Sequence, residues 1–515
     1  MQLFQKPARW AAAAACALLA TALPTAAANA AAHAATPPVP DRYRLQHLDW
    51  QPCFSGTLEC ATMAVPRDWY HPGAGPSLGI KVSRHRAADP AERRGVLMMA
   101  AGGPGSSGLK RPATLTGLSP KLAAAYDVVS FDQRGVGAST NVVCSDQATV
   151  DMFFSSGDLR DRSPRAIGAV FDRARAFVAD CERQSGGLLP YITSDQAVHD
   201  MDLYRALLGV DRISYYGPSY ATVLGAYYAT EFPRRVERVV LDSTVDFTQG
   251  WQAYMTGQPA SFQRRYERDF LPWLAKNDAA YHQGRTPAEA EASYERLRAA
   301  LRDHPLDLEG VRVTPNHLDA TATNYLYSAR GGFPALASLM GLLEHPDSAS
   351  AQAKKDAAGE LAPVMSAGYF ADFFAVTCGD GPWKRDGRYW VDRSAEATRV
   401  NPLVGARELT FAAICANWPR PKAPHIEVTG KGLPPVLMLN ATHDPATYYE
   451  GALRVHRSFA GSRLVTVDDG DHGQFQHGDA CADGYVEDYL LTGSLPAKDT
   501  TCAGVPLPEP TAALG

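Results

Sequence analysis

The stretch Ile213-Ser214-Tyr215-Tyr216-Gly217-Pro218-Ser219-Tyr220-Ala221 most narrowly constrains what this chain can fold into. An apolar, aromatic run of strand character turns at Gly217, and Ala221-Thr222-Val223-Leu224-Gly225-Ala226-Tyr227-Tyr228-Ala229-Thr230 resumes with helical composition. A serine at the apex of such a strand-to-helix turn is held in a strained backbone conformation that exposes its hydroxyl. The residues two before and two after it must be small for the turn to close. Here they are Gly217 and Ala221, so the pattern is Gly-x-Ser-x-Ala where the usual one is Gly-x-Ser-x-Gly. Taken alone the match has a plain alternative, a helix start following a turn. The rest of the chain decides between the two.

Continuous apolar runs bounded by turns mark strands buried on both faces, as in a parallel sheet covered by helices. Residues 95–101 and 126–131 read this way, 236–242 reads as another strand, 435–440 and 462–467 read as alternating, sheet-type segments, and 59–66 and 78–83 read as strands between Pro/Gly turns. Helical patterns cover about 163–181 and the segment after Thr193 or Ser194, with apolar Val198, Met201, Tyr204 and Leu208. Between 245 and 424 strand signals fade and helices dominate, for example 286–303 and 316–344. The simplest architecture is an α/β fold in which a mostly parallel sheet flanked by helices spans 43–244 and 425–515, interrupted by a helical insertion at 245–424.

In an open α/β sheet, chemistry gathers at the carboxyl ends of the strands. Four features fall there: the loop Gly102-Gly103-Pro104-Gly105-Ser106-Ser107-Gly108, then Ser219, Asp444 and His472. Serine, acid, histidine is the chain order of the α/β-hydrolase triad. A serine hydroxyl attacks effectively only when an imidazole takes its proton, and a carboxylate must hold that imidazole in the right tautomer. The developing oxyanion needs fixed N–H donors, for which the backbone amides of Gly103 and Tyr220 are the candidates. Asp242, His443 and His477 are rivals for the acid and the base. Asp132 and Arg134, after the 126–131 strand, read more as turn-holding residues than as chemistry.

Charged residues make up 20% of the 515-residue chain and the net charge is −5, so no electrostatic grip on nucleic acid is expected. Lys6 and Arg9 precede an apolar run to about Leu23, and small residues end in Ala28-Asn29-Ala30. That order is a secretory signal at 1–30, followed by an Ala/Pro-rich flexible leader at 31–42. The mature protein is therefore expected outside the cell, with no stable membrane insertion once the signal is removed. Cys16 lies in the signal, and eight cysteines remain. An even number in an exported chain suggests disulfides, and proximity in sequence favours Cys53–Cys60, Cys144–Cys181, Cys378–Cys415 and Cys481–Cys502. No CxxC pair or His/Cys cluster has ligand spacing, so neither a metal nor a cofactor is expected.

These motifs together resemble the secreted tripeptidyl aminopeptidase-like branch of the α/β-hydrolases, related to proline iminopeptidases. The matching segments are the 102–108 loop, Asp132-Gln133-Arg134-Gly135-Val136-Gly137-Ala138-Ser139, the turn at Ser219, Asn440-Ala441-Thr442-His443-Asp444-Pro445-Ala446-Thr447 and Asp471-His472-Gly473. Cys378-Gly379-Asp380 and Cys415-Ala416-Asn417-Trp418-Pro419 resemble the family's cysteine-bearing segments. The resemblance implies a helical lid over a Ser219–Asp444–His472 triad and release of short peptides from free N-termini. Ala221 and Tyr448 depart from the family pattern, which has glycine and often proline there. An aminopeptidase also needs carboxylates for the substrate's ammonium group, and Asp372 and Asp380 are candidates. The competing readings are an esterase, lactonase or amidase acting on a non-peptide small molecule, and a binding protein that merely keeps the fold.

Overall fold

A computed structural model describes residues 38–362, 365–419 and 426–510. Ten strands form one sheet. They are β1 (Gln51–Cys53), β2 (Leu58–Pro66), β3 (Ser77–His85), β4 (Gly95–Met99), β5 (Tyr126–Phe131), β6 (Ile213–Pro218), β7 (Val236–Asp242), β8 (Leu437–Ala441), β9 (Arg463–Val467) and β10 (Thr500–Cys502). Their order is β1-β2-β3-β5-β4-β6-β7-β8-β9-β10. The first three strands and the β3–β5 pair are antiparallel, and every later neighbour is parallel. Every expected strand forms, with small shifts at its ends. β1 and β10, and a hairpin of Leu306–Leu308 with Val311–Val313 inside the insertion, have no sequence forecast. Strands of three residues are too short to show alternation.

The parallel strands leave their carboxyl ends level. Pro218 pairs with Asp242, and Asp242 pairs with Leu439, so the loops after β6, β7 and β8 emerge side by side. Behind them the helix Ala221–Glu231 is buried from Ala221 to Ala229, and a helix apolar all round belongs in a core.

The segment between β7 and β8 is mostly helical, as expected. Part of it has a core of its own, built on Phe262, Phe270, Trp273, Leu318 and Phe333. Each such side chain contributes about 1.5–3 kcal/mol when taken out of water. The helices Ala367–Gly379 and Glu408–Asn417 instead pack into the main core through Phe370, Phe374, Ala412 and Ile414. The forecast continuous helix over 316–344 is two helices, Pro315–Tyr325 and Ala329–Glu344. The break at 326–328 is set from outside the segment, because Asp471 accepts hydrogen bonds from Ser328 Oγ and Ala329 N, both at 2.8 Å. Residues 1–37, and hence the forecast signal and most of the leader, lie outside the described residues, as does the insertion boundary at 424. The end of the leader is helical, since Asp41–Arg44 form a turn that buries Tyr43.

The four disulfides are Cys53–Cys60, Cys144–Cys181, Cys378–Cys415 and Cys481–Cys502, the pairing that sequence proximity favours. Thiol titration of the mature protein under denaturing conditions should find no free thiol. Two or more would refute full pairing.

Candidate active site

Ser219 follows β6 directly and has a backbone φ of +59°, a region that L residues other than glycine rarely occupy. Its amide donates to Asp242 O at 2.9 Å, and Thr222 N closes the turn onto Ser219 O at 2.8 Å. Gly217 has no room for a side chain, because a Cβ there would lie 2.7 Å from Ala221 O and from the Tyr215 ring. Tyr215 Oη also donates to Ala221 O at 2.7 Å. Ala221 is fully buried on the core side and does not line the cavity in front of Ser219. The departure from glycine at this position thus leaves the front of the site untouched.

The glycine loop after β4 lies against the serine. A Cβ on Gly102 would come within 3.0 Å of Ser219 Cβ and 3.5 Å of Ser219 Oγ. Asp132 pins the far end of this loop, accepting from Ser107 Oγ at 2.6 Å, Gly108 N at 2.8 Å and Ala138 N at 2.8 Å. Arg134 forms a buried two-pronged pair with Asp200 at 2.8 and 2.6 Å. Both residues therefore hold structure.

Asp444 follows β8 and is fully buried. It accepts from Ala446 N at 2.9 Å, Thr447 N at 2.8 Å and Thr447 Oγ1 at 2.6 Å, and its Oδ2 lies 2.9 Å from His472 Nδ1. Burial pushes the Asp444 carboxyl up, but the His472 charge, the hydrogen bond to it and those from Thr447 outweigh that and hold it below the usual carboxylate range. Burial opposes charging of the His472 ring, yet the Asp444 carboxylate overcomes it and keeps the ring above the usual histidine range. Thr447, to which sequence reasoning gave no role, fills the remaining acceptor sites of Asp444 together with Ala446 N.

The rivals have other partners. Asp242 is buried and accepts from Tyr216 Oη at 2.8 Å and from Gln474 N and Phe475 N at 2.9 Å each, so it anchors the loop that carries His472. His443 Nδ1 pairs with Asp269 Oδ1 at 3.0 Å. His477 is exposed at the rim. The His472 loop has a second anchor in the insertion, since His472 N donates to Tyr327 O at 2.8 Å and buried Arg265 reaches Asp471 Oδ1 at 2.6 Å. Tyr327 also meets the His472 ring edge-on at 5.1 Å.

Ser219, His472, Gly102 and Gly103 face one cavity of about 830 Å³, which Asn324, Tyr327, Met365 and Tyr369 of the insertion also line. Asp372 and Asp380 do not reach it. Asp380 sits behind Tyr220, accepting from Ser194 N at 2.7 Å and Trp251 Nε1 at 3.2 Å, while Ser194 Oγ lies 2.7 Å from Tyr220 Oη. Asp372 lies under the glycine loop, where a Cβ on Gly105 would come within 3.2 Å of it, and burial followed by repulsion from Asp132 pushes its carboxyl up to about 8.

The sequence matches the family model described as alpha/beta hydrolase fold over residues 95–297 and the one described as TAP-like protein over 401–502. It is similar to the tripeptidyl aminopeptidase of Streptomyces coelicolor, with 35% identity covering 90% of this chain and 87% of the relative. It is also similar to the serine protease Hip1 of Mycobacterium tuberculosis, with 29% identity covering 89% and 91% of the two chains. Carboxylesterase B of the same organism is 31% identical over 87% of this chain and 86% of its own. At that identity over nearly its whole length, the chain belongs to the tripeptidyl aminopeptidase-like α/β-hydrolases and is a serine hydrolase.

Proposed function

We propose that this protein is an exported exopeptidase that releases tripeptides from free N-termini, using Ser219, His472 and Asp444 as its triad. The observation that carries the proposal is that His472, paired with the buried Asp444, faces the same cavity as a serine at φ +59°. Ser219 Oγ attacks the scissile carbonyl carbon as His472 Nε2 takes its proton, and His472 then returns that proton to the departing amine. Water, deprotonated by the same ring, cleaves the acyl-enzyme and restores the serine. The amides of Gly103 and Tyr220 donate no hydrogen bond among the described residues, which leaves them free for an oxyanion. Asp444 stays ionised throughout and stabilises the imidazolium that forms.

Peptide chemistry is supported by the relatives named for it, and export by four disulfides, which persist in oxidising compartments. Among the described residues, no helix is long and apolar enough to cross a membrane. A second reading, an esterase-type enzyme acting on a small molecule, is favoured by one observation. No aspartate or glutamate is among the described residues lining the cavity, so nothing there matches a free ammonium group.

The deciding experiment compares a tripeptide anilide bearing a free amino terminus with its N-acylated form. Cleavage of the free-amine compound alone is expected. Cleavage of neither, alongside turnover of simple esters, would transfer the assignment to the esterase reading.

A further inference from the structure

The charge of the cavity is one-sided. Apart from His472 and His477, the charged side chain among the described residues of its wall is Arg111, at the first position of the helix Arg111–Leu118 that follows the glycine loop. Its backbone amide donates to Gly108 O at 2.9 Å, but its guanidinium makes no hydrogen bond or ion pair with any described residue. The three buried arginines are all ion-paired, whereas partly buried Arg162 and Arg407, like Arg111, have no carboxylate partner among the described residues. Arg134 is paired with Asp200, Arg265 with Asp269 and Asp471, and Arg298 with Asp158 and Asp319. Arg111 is partly buried and shares its wall with Met99, Leu115 and Leu118. Beside apolar side chains a guanidinium interacts with an incoming anion more strongly than it would in open water, and its planar fork matches a carboxylate in geometry.

We propose that Arg111 is a specificity residue that binds a carboxylate of the substrate inside the Ser219 cavity. The inference rests on the reading of Ser219 as the nucleophile and refines it, naming an acidic substrate where the lining offers no match for a cation. The carboxylate is either the main-chain terminus of a short peptide or an acidic side chain next to the scissile bond. In both cases the partner is a planar anion held by a fork of N–H donors. The nearby glycine loop and the apolar wall leave no protein carboxylate to compete for it among the described lining residues.

The test uses the whole mature protein and reads inhibition of p-nitrophenyl butyrate hydrolysis, so that it does not require peptide cleavage. Tetra-alanine is compared as free acid and as carboxamide, and the carboxamides of Ala-Ala-Ala-Glu and Ala-Ala-Glu-Ala are compared with their glutamine counterparts. In at least one pair the acidic member should inhibit about 10–100-fold more tightly, the range expected for a charge-assisted hydrogen-bonded pair. The pair that responds identifies the source of the carboxylate. In Arg111→Gln that ratio should collapse towards one, and in Arg111→Lys, which keeps the charge without the fork, part of it should return. Equal inhibition within every pair for the wild type, or an unchanged ratio in Arg111→Gln, overturns the proposal. A merely structural arginine would weaken both members of a pair together and leave the ratio intact. Failure of the underlying Ser219 reading shows separately, as ester hydrolysis that survives Ser219→Ala, while calorimetric titration of the acid and amide peptides still reads the Arg111 ratio.

Discussion

Ser219→Ala is expected to remain folded while kcat for peptide anilides and esters falls by about a million-fold, since loss of the nucleophile alone costs about as much as loss of a whole triad. The fold should survive because the turn is held by backbone bonds and packing rather than by the hydroxyl. Ser219 N donates to Asp242 O, Thr222 N donates to Ser219 O, and Gly217 packs against Tyr215. Alanine has the same Cβ as serine, so the positive φ imposes no new steric cost. Thermal unfolding should therefore coincide for the two proteins within a few degrees. A folded alanine variant with undiminished turnover would remove Ser219 from the chemistry.

Asp444→Asn should cost about 10⁴-fold in kcat, because the imidazole loses the partner that holds its tautomer. Here the effect has a second source. Asp444 is surrounded by donors, namely Ala446 N, Thr447 N, Thr447 Oγ1 and the His472 ring, and an asparagine NH₂ cannot accept from any of them. The pH profile supplies an independent check. In the proposed mechanism turnover requires the neutral His472 ring, and in the wild type the ring is held above its ordinary value of 6.5. Activity should therefore fall as pH drops through a midpoint above about 6.5 in kcat/KM. In Asp444→Asn the carboxylate no longer opposes burial, so the ring is harder to protonate and this acid limb should move to lower pH. A limb that stays in place would show that a group other than His472 controls the profile.

Much of this arrangement is legible in one dimension because its signals are local. The strand–turn–helix at Ser219 needs only small residues at 217 and 221 and apolar runs on either side, all within about 18 residues of chain. Buried parallel strands announce themselves as continuous apolar runs, and the loops after them are then the places to look for chemistry. The disulfides were legible for a similar reason, since every bridge joins cysteines adjacent in the list of eight and the largest separation is 37 residues. The break at 326–328 was not, because helical periodicity runs through it. Its cause is Asp471, more than 140 residues away in the chain, capping the second helix.

The same division runs through the candidate site. Sequence by itself determined the fold class, the position of the strand–turn–helix at Ser219 and the short roster of acids and histidines at strand ends. Only the tertiary structure decided which of them meet: Asp444 pairs with His472, while Asp242 turns back to hold the loop that carries that histidine. It also set Asp372 and Asp380 behind the wall of the cavity and Arg111 on it. Periodicity and turn chemistry are properties of neighbouring residues, whereas the partner of a carboxylate depends on which distant strands come to lie side by side when the sheet closes, and no short window of the chain contains that information.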